Sequence, residues 1–272
     1  MTLTRRRDNG CLVKIVVTVK QVPDPNSTTI LEADNTVARD REVVLDPGDE
    51  CGIEEGLQLK EAHGGEVILV SMAGPGAPDT MRKALAMGAA SGSLVTDDTL
   101  AGSDTVSTAR VLAGMLKDME YDLVLAGADT SDGGAGVVPA GVATLLGLPY
   151  LSYAAKIEPD PAARTVRVNR ISPTGYDVLE APMPALIVAT QALGEPRYPS
   201  LKGIMAARSK TLETKALADV PVGDGPVGGA VATSEVIGSE APPPRAATRV
   251  IREPAGEAAR QVVAFLAERR II

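Results

Sequence analysis

Residues 127–139 read Gly-Ala-Asp-Thr-Ser-Asp-Gly-Gly-Ala-Gly-Val-Val-Pro, with four glycines in thirteen positions. Glycine lets backbone N–H groups approach a ligand closely. A helix starting inside the run adds N-terminal N–H groups that favour an anion. The chemistry this run can do is phosphate binding, although the same composition also suits an ordinary strand-to-helix turn. No Gly-Lys-Ser/Thr follows, so it is not a Walker A loop, and its spacing is not the usual dinucleotide fingerprint.

A second stretch, Leu100 to Thr108, opens a helix with Asp104 as its cap and sets Thr105 and Thr108 about one turn apart. By itself this is either a plain helix cap or two hydroxyls facing a ligand. A third stretch, Leu193 to Lys210, reads Leu-Gly-Glu-Pro-Arg-Tyr-Pro-Ser-Leu-Lys-Gly-Ile-Met-Ala-Ala-Arg-Ser-Lys. Pro196 and Pro199 bracket Arg197 and Tyr198, and Pro196 pushes Glu195 out of helical geometry. Ser200 then reads as the N-cap of a short basic helix with Leu201, Ile204 and Met205 at helical spacing. A bare Leu193 ahead of a stiff loop is either a docking knob or part of a simple connection.

Other chemistries are poorly supplied. His63 is the only histidine, which leaves no material for a histidine triad or a multi-histidine metal site. Cys11 and Cys51 are not spaced as a metal site or a disulfide framework, a usage that fits a reducing cytoplasm. No nucleophile–base pair or carboxylate pair stands out, so a carrier or binding protein is favoured over a hydrolase. Of the 272 residues, 44% are hydrophobic and 23% charged, with a net charge of −8. The acidic balance, the lack of Trp and the single Phe265 argue against nucleic acid as partner. No run of 18 apolar residues is present, so no membrane insertion is expected.

These residues need a frame to position them. Strands are expected at Val13–Val19, Glu66–Met72, Gly92–Thr96 and Tyr121–Ala126, alternating with helices at Glu50–His63, Asp79–Met87, Asp104–Met119 and Gly134–Leu146. Asp49 is expected to cap the first helix, Pro78 to mark the start of the second, and Gly88 and Gly147 to close the second and fourth. Such alternation predicts an α/β fold with a parallel sheet covered on both faces and a ligand at the carboxyl ends of the strands. After Pro149 four strands (Tyr150–Ile157, Thr165–Ile171, Gly175–Glu180 and Ala185–Ala192) read as an added β-meander. Residues 218–248, rich in Pro, Gly, Ala and Ser, read as an extended arm, and Glu253–Arg270 as a closing amphipathic helix. The expected organisation is a disordered extension over 1–11, a nucleotide-binding domain over 12–217, and a C-terminal arm and helix over 218–272.

The segment Glu-Pro-Arg-Tyr-Pro followed by Ile-Met-Ala-Ala closely resembles the signature of the β subunit of electron transfer flavoprotein, and Leu193 stands where that family carries the leucine that docks to dehydrogenases. The resemblance extends to Val-Lys-Gln-Val-Pro-Asp at 19–24, Asp46-Pro47, Ala-Leu-Ala-Met-Gly at 84–88 and the glycine-rich loop, from about Leu12 to the C-terminus. It implies an adenine-nucleotide-binding domain of Rossmann type. It also implies an α-subunit partner onto which the C-terminal arm and helix pack, flavin dehydrogenases as donors, and a quinone oxidoreductase or similar acceptor. FAD would be shared with the α subunit, with AMP or a second FAD in this chain. The implied nucleotide contacts are Thr18, Asp46, Pro47, Met72, Thr105, Thr108, Gly127, Thr130, Asp132, Gly133, Gly134, Gly136, Val137 and Val138. The implied docking residues are Leu193, Glu195, Pro196, Arg197 and Tyr198. Ala135 and Val137 replace the family's usual Thr and Gln, which removes two side-chain donors, and Ser107 replaces an Ala. As a bare sequence feature Met72 also reads as core. The other reading is a stand-alone adenine-nucleotide module of the universal-stress type, which has no use for the segment from Leu193 onward.

Overall fold

The computed structural model describes residues 13–240, 243, 248 and 250–272. They fall into two compact units that divide between Ile237 and Gly238. The expected extension over 1–11 lies outside the described residues. The elements of the first unit are β1 (Val13–Thr18), β2 (Gln21–Pro23), β3 (Val43–Leu45), α1 (Pro47–His63), β4 (Gly65–Met72), α2 (Ala77–Ala86), β5 (Ser91–Val95), α3 (Thr105–Lys117), β6 (Leu123–Gly127), α4 (Val138–Leu146), β7 (Tyr150–Asp160), β8 (Thr165–Ser172), β9 (Gly175–Pro182), β10 (Ala185–Ala189), α5 (Leu201–Ala207) and β11 (Leu212–Lys215). The second unit contains α6 (Ala255–Glu268).

Nine strands form one sheet in the order β11-β5-β4-β1-β6-β10-β7-β8-β9. The pairings from β11 to β7 are parallel, and β7-β8-β9 is an antiparallel meander at one end. The central strands are almost wholly apolar because both faces are covered. Ile15, Val17, Val67, Leu69, Leu123 and Leu125 pack with Ile53 and Leu57 of α1 and Met81 and Leu85 of α2. Val16, Val70, Val124, Leu186 and Val188 turn to the other face, against Leu112 and Leu116 of α3 and Val142 of α4. The chain leaves β1 for α1 on the first face and leaves β6 for α4 on the second. Connections that depart from adjacent strands to opposite faces open a crevice at their carboxyl ends, here between β1 and β6.

Several local expectations shift. The cap of α1 is Asp46, which accepts from the Gly48 N–H; Asp49 lies inside the helix and is buried. Ala77 is the first residue of α2 despite preceding Pro78, because a proline in the first turn removes no intrahelical bond. The helix expected from Gly134 starts at Val138, since Gly134 and Gly136 hold positive φ of 58° and 61°. Gly147 closes it in the left-handed region as expected. The strand expected over Ala185–Ala192 ends at Ala189 and lies between β6 and β7, outside the meander. The β2-β3 hairpin and β11 were not anticipated, being only three or four residues long. The start of the arm buries Val220 and Val227 against the α3 face.

In the second unit α6 exposes Val262 and Val263, and Arg269 stacks 5.2 Å from the Phe265 ring centroid. Residues 241, 242 and 244–247 of the expected arm, and residue 249 after it, lie outside the described residues. No described helix is long and apolar enough to cross a membrane.

Candidate functional site

The glycine-rich loop leaves β6 at the crevice and is fixed by three carboxylates. Asp46 accepts from Gly48 N at 2.9 Å with one oxygen, and from Ser131 N at 2.8 Å and Ser131 Oγ at 2.9 Å with the other. One side chain thus ends α1 and holds the loop. Asp49 accepts from Lys20 N at 2.7 Å and Gly127 N at 3.2 Å, tying the ends of β1 and β6 together. Burial first, and then the charge of Asp46, push the Asp49 carboxyl up to about 8. A Cβ on Gly127 would lie 2.6 Å from Asp49 Oδ1, so only glycine fits there.

Asp132 is the third. Its side chain is 3% exposed and bridges Lys20 Nζ, at 2.7 Å, and Arg39 Nη2. Burial opposes its ionisation, but the two cations outweigh it and hold the carboxyl at about 2. Lys20 Nζ also reaches Thr130 Oγ1 at 3.3 Å, and Gly134 N donates to Thr130 O at 3.0 Å. Beyond this knot, the backbone N–H groups of Ala135, Gly136, Val137 and Val138 donate to no described residue. Four unpaired donors at the start of α4, with two glycines at positive φ, are an anion cradle made of backbone.

The structure therefore brings Asp46, Pro47, Gly127, Thr130, Asp132, Gly133, Gly134, Gly136, Val137 and Val138 together at one crevice. Thr18 joins them at the end of β1, its hydroxyl 3.5 Å from Leu125 O. Met72, at the end of β4, packs half-buried on the α3-side core. Thr105 and Thr108 stand at the start of α3, and the Thr108 hydroxyl is bonded within its own helix. Thr108 Oγ1 donates to Asp104 O at 2.8 Å, and Asp104 accepts from Ser107 N and from Thr233 N and Oγ1, each at 2.8 Å. These bonds, from Ser107 first, lower the Asp104 carboxyl to about 2. Arg110 donates to the carbonyls of Val222, Asp224, Gly225 and Pro226, so residues 222–233 are strapped across the start of α3. Lys20, Arg39, Asp49, Ser131 and Thr233 were not found from sequence. The one available signal was chemical: an acid inside an anion cradle must be neutralised by nearby cations.

The segment expected to dock is held from beneath. Arg197 donates to Glu54 from its backbone N at 3.1 Å, from Nε at 2.7 Å and from Nη2 at 3.0 Å, and to Glu61 from Nη1 at 2.6 Å. Burial resists ionisation of Glu54, whose side chain is 8% exposed, but the bonds from Arg197 and Gln58 prevail and lower its carboxyl. Ser200 caps α5 through Gly203 N at 3.0 Å, as expected. Glu195 is exposed and Pro196 half-buried. Leu193 is not bare: it is half-buried against the α1-side core. The exposed apolar groups are Tyr198, 97% exposed, with Leu201, Ile204 and Met205. Among the described residues no cluster of three or more His, Cys, Asp or Glu could hold a metal ion.

The chain is similar to known proteins over most of its length. A family model described as electron transfer flavoprotein domain matches residues 34–220. The electron transfer flavoprotein subunit beta of Mycobacterium tuberculosis is 37% identical over 269 residues, covering 96% of this chain and 100% of that protein. Its counterpart from Clostridium acetobutylicum is 33% identical over 261 residues, with 96% and 100% covered. Protein FixA of Azorhizobium caulinodans is 37% identical over 206 residues, 73% of each chain.

Proposed function

We propose a role that starts from one premise: the chain belongs to the electron transfer flavoprotein family, as a β subunit, and is an electron carrier that pairs with an α subunit and associates with flavin. From there, the cradle at the start of α4 holds the phosphate of an adenine nucleotide, either AMP or a second FAD. The observation that carries this is the row of four unpaired N–H groups from Ala135 to Val138 in the crevice between β1 and β6. The residues present fit a phosphate through backbone donors, and the side-chain donors absent at Ala135 and Val137 leave that work to the main chain. Flavin supplies the redox chemistry when bound; this chain binds, orients and docks. Asp46 and the Asp132 bridge hold the loop in shape, which lowers the ordering cost of binding. Asp46 and Pro47 at the start of α1, with Thr18, complete the near wall of the crevice. This reading further assigns nucleotide contacts to Met72 at the end of β4 and to Thr105 and Thr108 at the start of α3.

The segment from Leu193 through Tyr198 meets partner dehydrogenases. Its Arg197 clamp supports this role, because a rigid backbone presenting exposed Tyr198, Leu201 and Met205 loses little entropy on association. The arm and α6 pack on the α subunit, and a quinone oxidoreductase or similar protein accepts the electrons in the cytoplasm. The test is nucleotide stoichiometry in the co-expressed heterodimer. One FAD with one AMP assigns the cradle to AMP, and two FAD assign it to the second flavin. One FAD with no further adenine nucleotide would remove the cradle from the binding site.

A further inference from the structure

Between the C-terminal half of α1 and β7 lies an open groove of about 500 Å³, outside the nucleotide crevice. Its apolar walls are Leu59 of α1, Ile157 of β7 and Leu193. Glu55 of α1 lines the same groove, is 7% exposed, and receives no hydrogen bond or ion pair from any described residue. Every neighbouring acid has a counter-ion. Glu54 and Glu61 are held by Arg197, and Glu158 by Lys156 Nζ at 2.7 Å. His63, at the end of α1, also lines the groove, as do Lys156 and Glu158 of β7, which are paired with each other. Burial first, and then the Glu54 charge, raise the Glu55 carboxyl to about 7. A buried acid without partner is costly, and a cation from outside would convert that cost into attraction.

We infer that this groove receives an arginine or lysine side chain of the protein that docks at the segment from Leu193, with the Glu55 carboxylate as its counter-ion. This rests on the docking role proposed above. Long basic side chains match the groove chemically: their methylene stems lie on Leu59, Ile157 and Leu193, and their heads reach the acid. Leu193 ties the groove to the docking segment, because it forms one wall and does not project as a separate knob.

The test uses the flavin-loaded heterodimer as electron acceptor for a purified flavin dehydrogenase that reduces the wild-type protein. Glu55→Gln keeps the shape and removes the charge, so it folds with unchanged flavin content. Its KM for the heterodimer should rise about tenfold while kcat stays within twofold. The wild-type KM should fall as pH rises through about 7, as Glu55 ionises, and that fall should vanish in Glu55→Gln but persist in His63→Gln. An unchanged KM in Glu55→Gln overturns the groove, even where Leu193→Ala raises KM and leaves docking by the loop intact. Unchanged KM in both variants overturns the docking role as well. Loss of heterodimer or flavin in Glu55→Gln assigns the groove to the α subunit and also overturns the inference.

Discussion

Two loops in this molecule are each held by a three-charge bridge, and the bridges have opposite polarity. At the glycine-rich loop one buried carboxylate, Asp132, joins two cations, Lys20 and Arg39. At the docking segment one cation, Arg197, joins two carboxylates, Glu54 and Glu61. The first sits at the carboxyl edge of the sheet and leaves backbone N–H groups unspent. The second sits on the flank of α1 and leaves side chains unspent. A bridge uses up the polar groups nearest to it, so what remains determines what each loop can bind. The glycine-rich loop keeps donors that suit an anion, and the segment after Leu193 keeps apolar surface that suits a protein.

Removing the central charge of each bridge tests this contrast. Arg197→Ala should have the largest effect. It leaves Glu54 buried with only the neutral Gln58 amide as partner, and the heterodimer should lose about 3 kcal/mol in urea unfolding, at the low end for a broken buried pair because Arg197 is itself part-exposed. Arg197→Lys should recover less than half, since an ammonium cannot bridge two carboxylates with a planar fork. Full recovery by lysine would reduce this bridge to simple charge balance.

Next comes Gly127→Ala, which drives a methyl into Asp49 Oδ1 and should cost about 1–3 kcal/mol while loosening the nucleotide. Wild-type stability in that variant would mean that the ends of β1 and β6 are not locked together. Smaller again, Ala135→Thr with Val137→Gln should tighten nucleotide about tenfold, near 1.4 kcal/mol, by adding side-chain donors to the cradle. Calorimetry with AMP reads this directly, and unchanged affinity would show the loop's backbone already saturates the phosphate.

The last effect concerns acid. The folded Asp132 carboxyl titrates at about 2, against about 3.8 when unfolded, so its stabilisation is fully present above that value and is lost as pH falls towards 2. Asp132→Asn should flatten this part of the acid-unfolding curve. An unaltered curve would mean that Lys20 and Arg39 do not hold the loop through this acid.

Local signals were enough for much of this. The apolar runs of β1 and β4, the Asp104 and Ser200 caps and the left-handed Gly147 all read correctly, because each depends on residues within a turn or two. The Thr233 bonds to Asp104, the reach of Arg39 to Asp132 and the clamp of Arg197 on α1 join residues 93–143 positions apart, and no spacing rule covers such pairs. Leu193 looked bare for the same reason: its neighbours come from α1 and β7.

The sequence by itself determined the alternation of strands and helices, the glycine loop with its capacity for an anion, and the stiff segment after Leu193 with its Ser200-capped helix, since propensity, capping and glycine freedom act locally. Only the tertiary structure decided that β10 lies between β6 and β7, that a short hairpin supplies Arg39, and which cations neutralise Asp132. It also left Glu55 buried beside Leu193 without a counter-ion. Burial and charge pairing depend on which distant segments meet, and that is settled when the sheet closes its order.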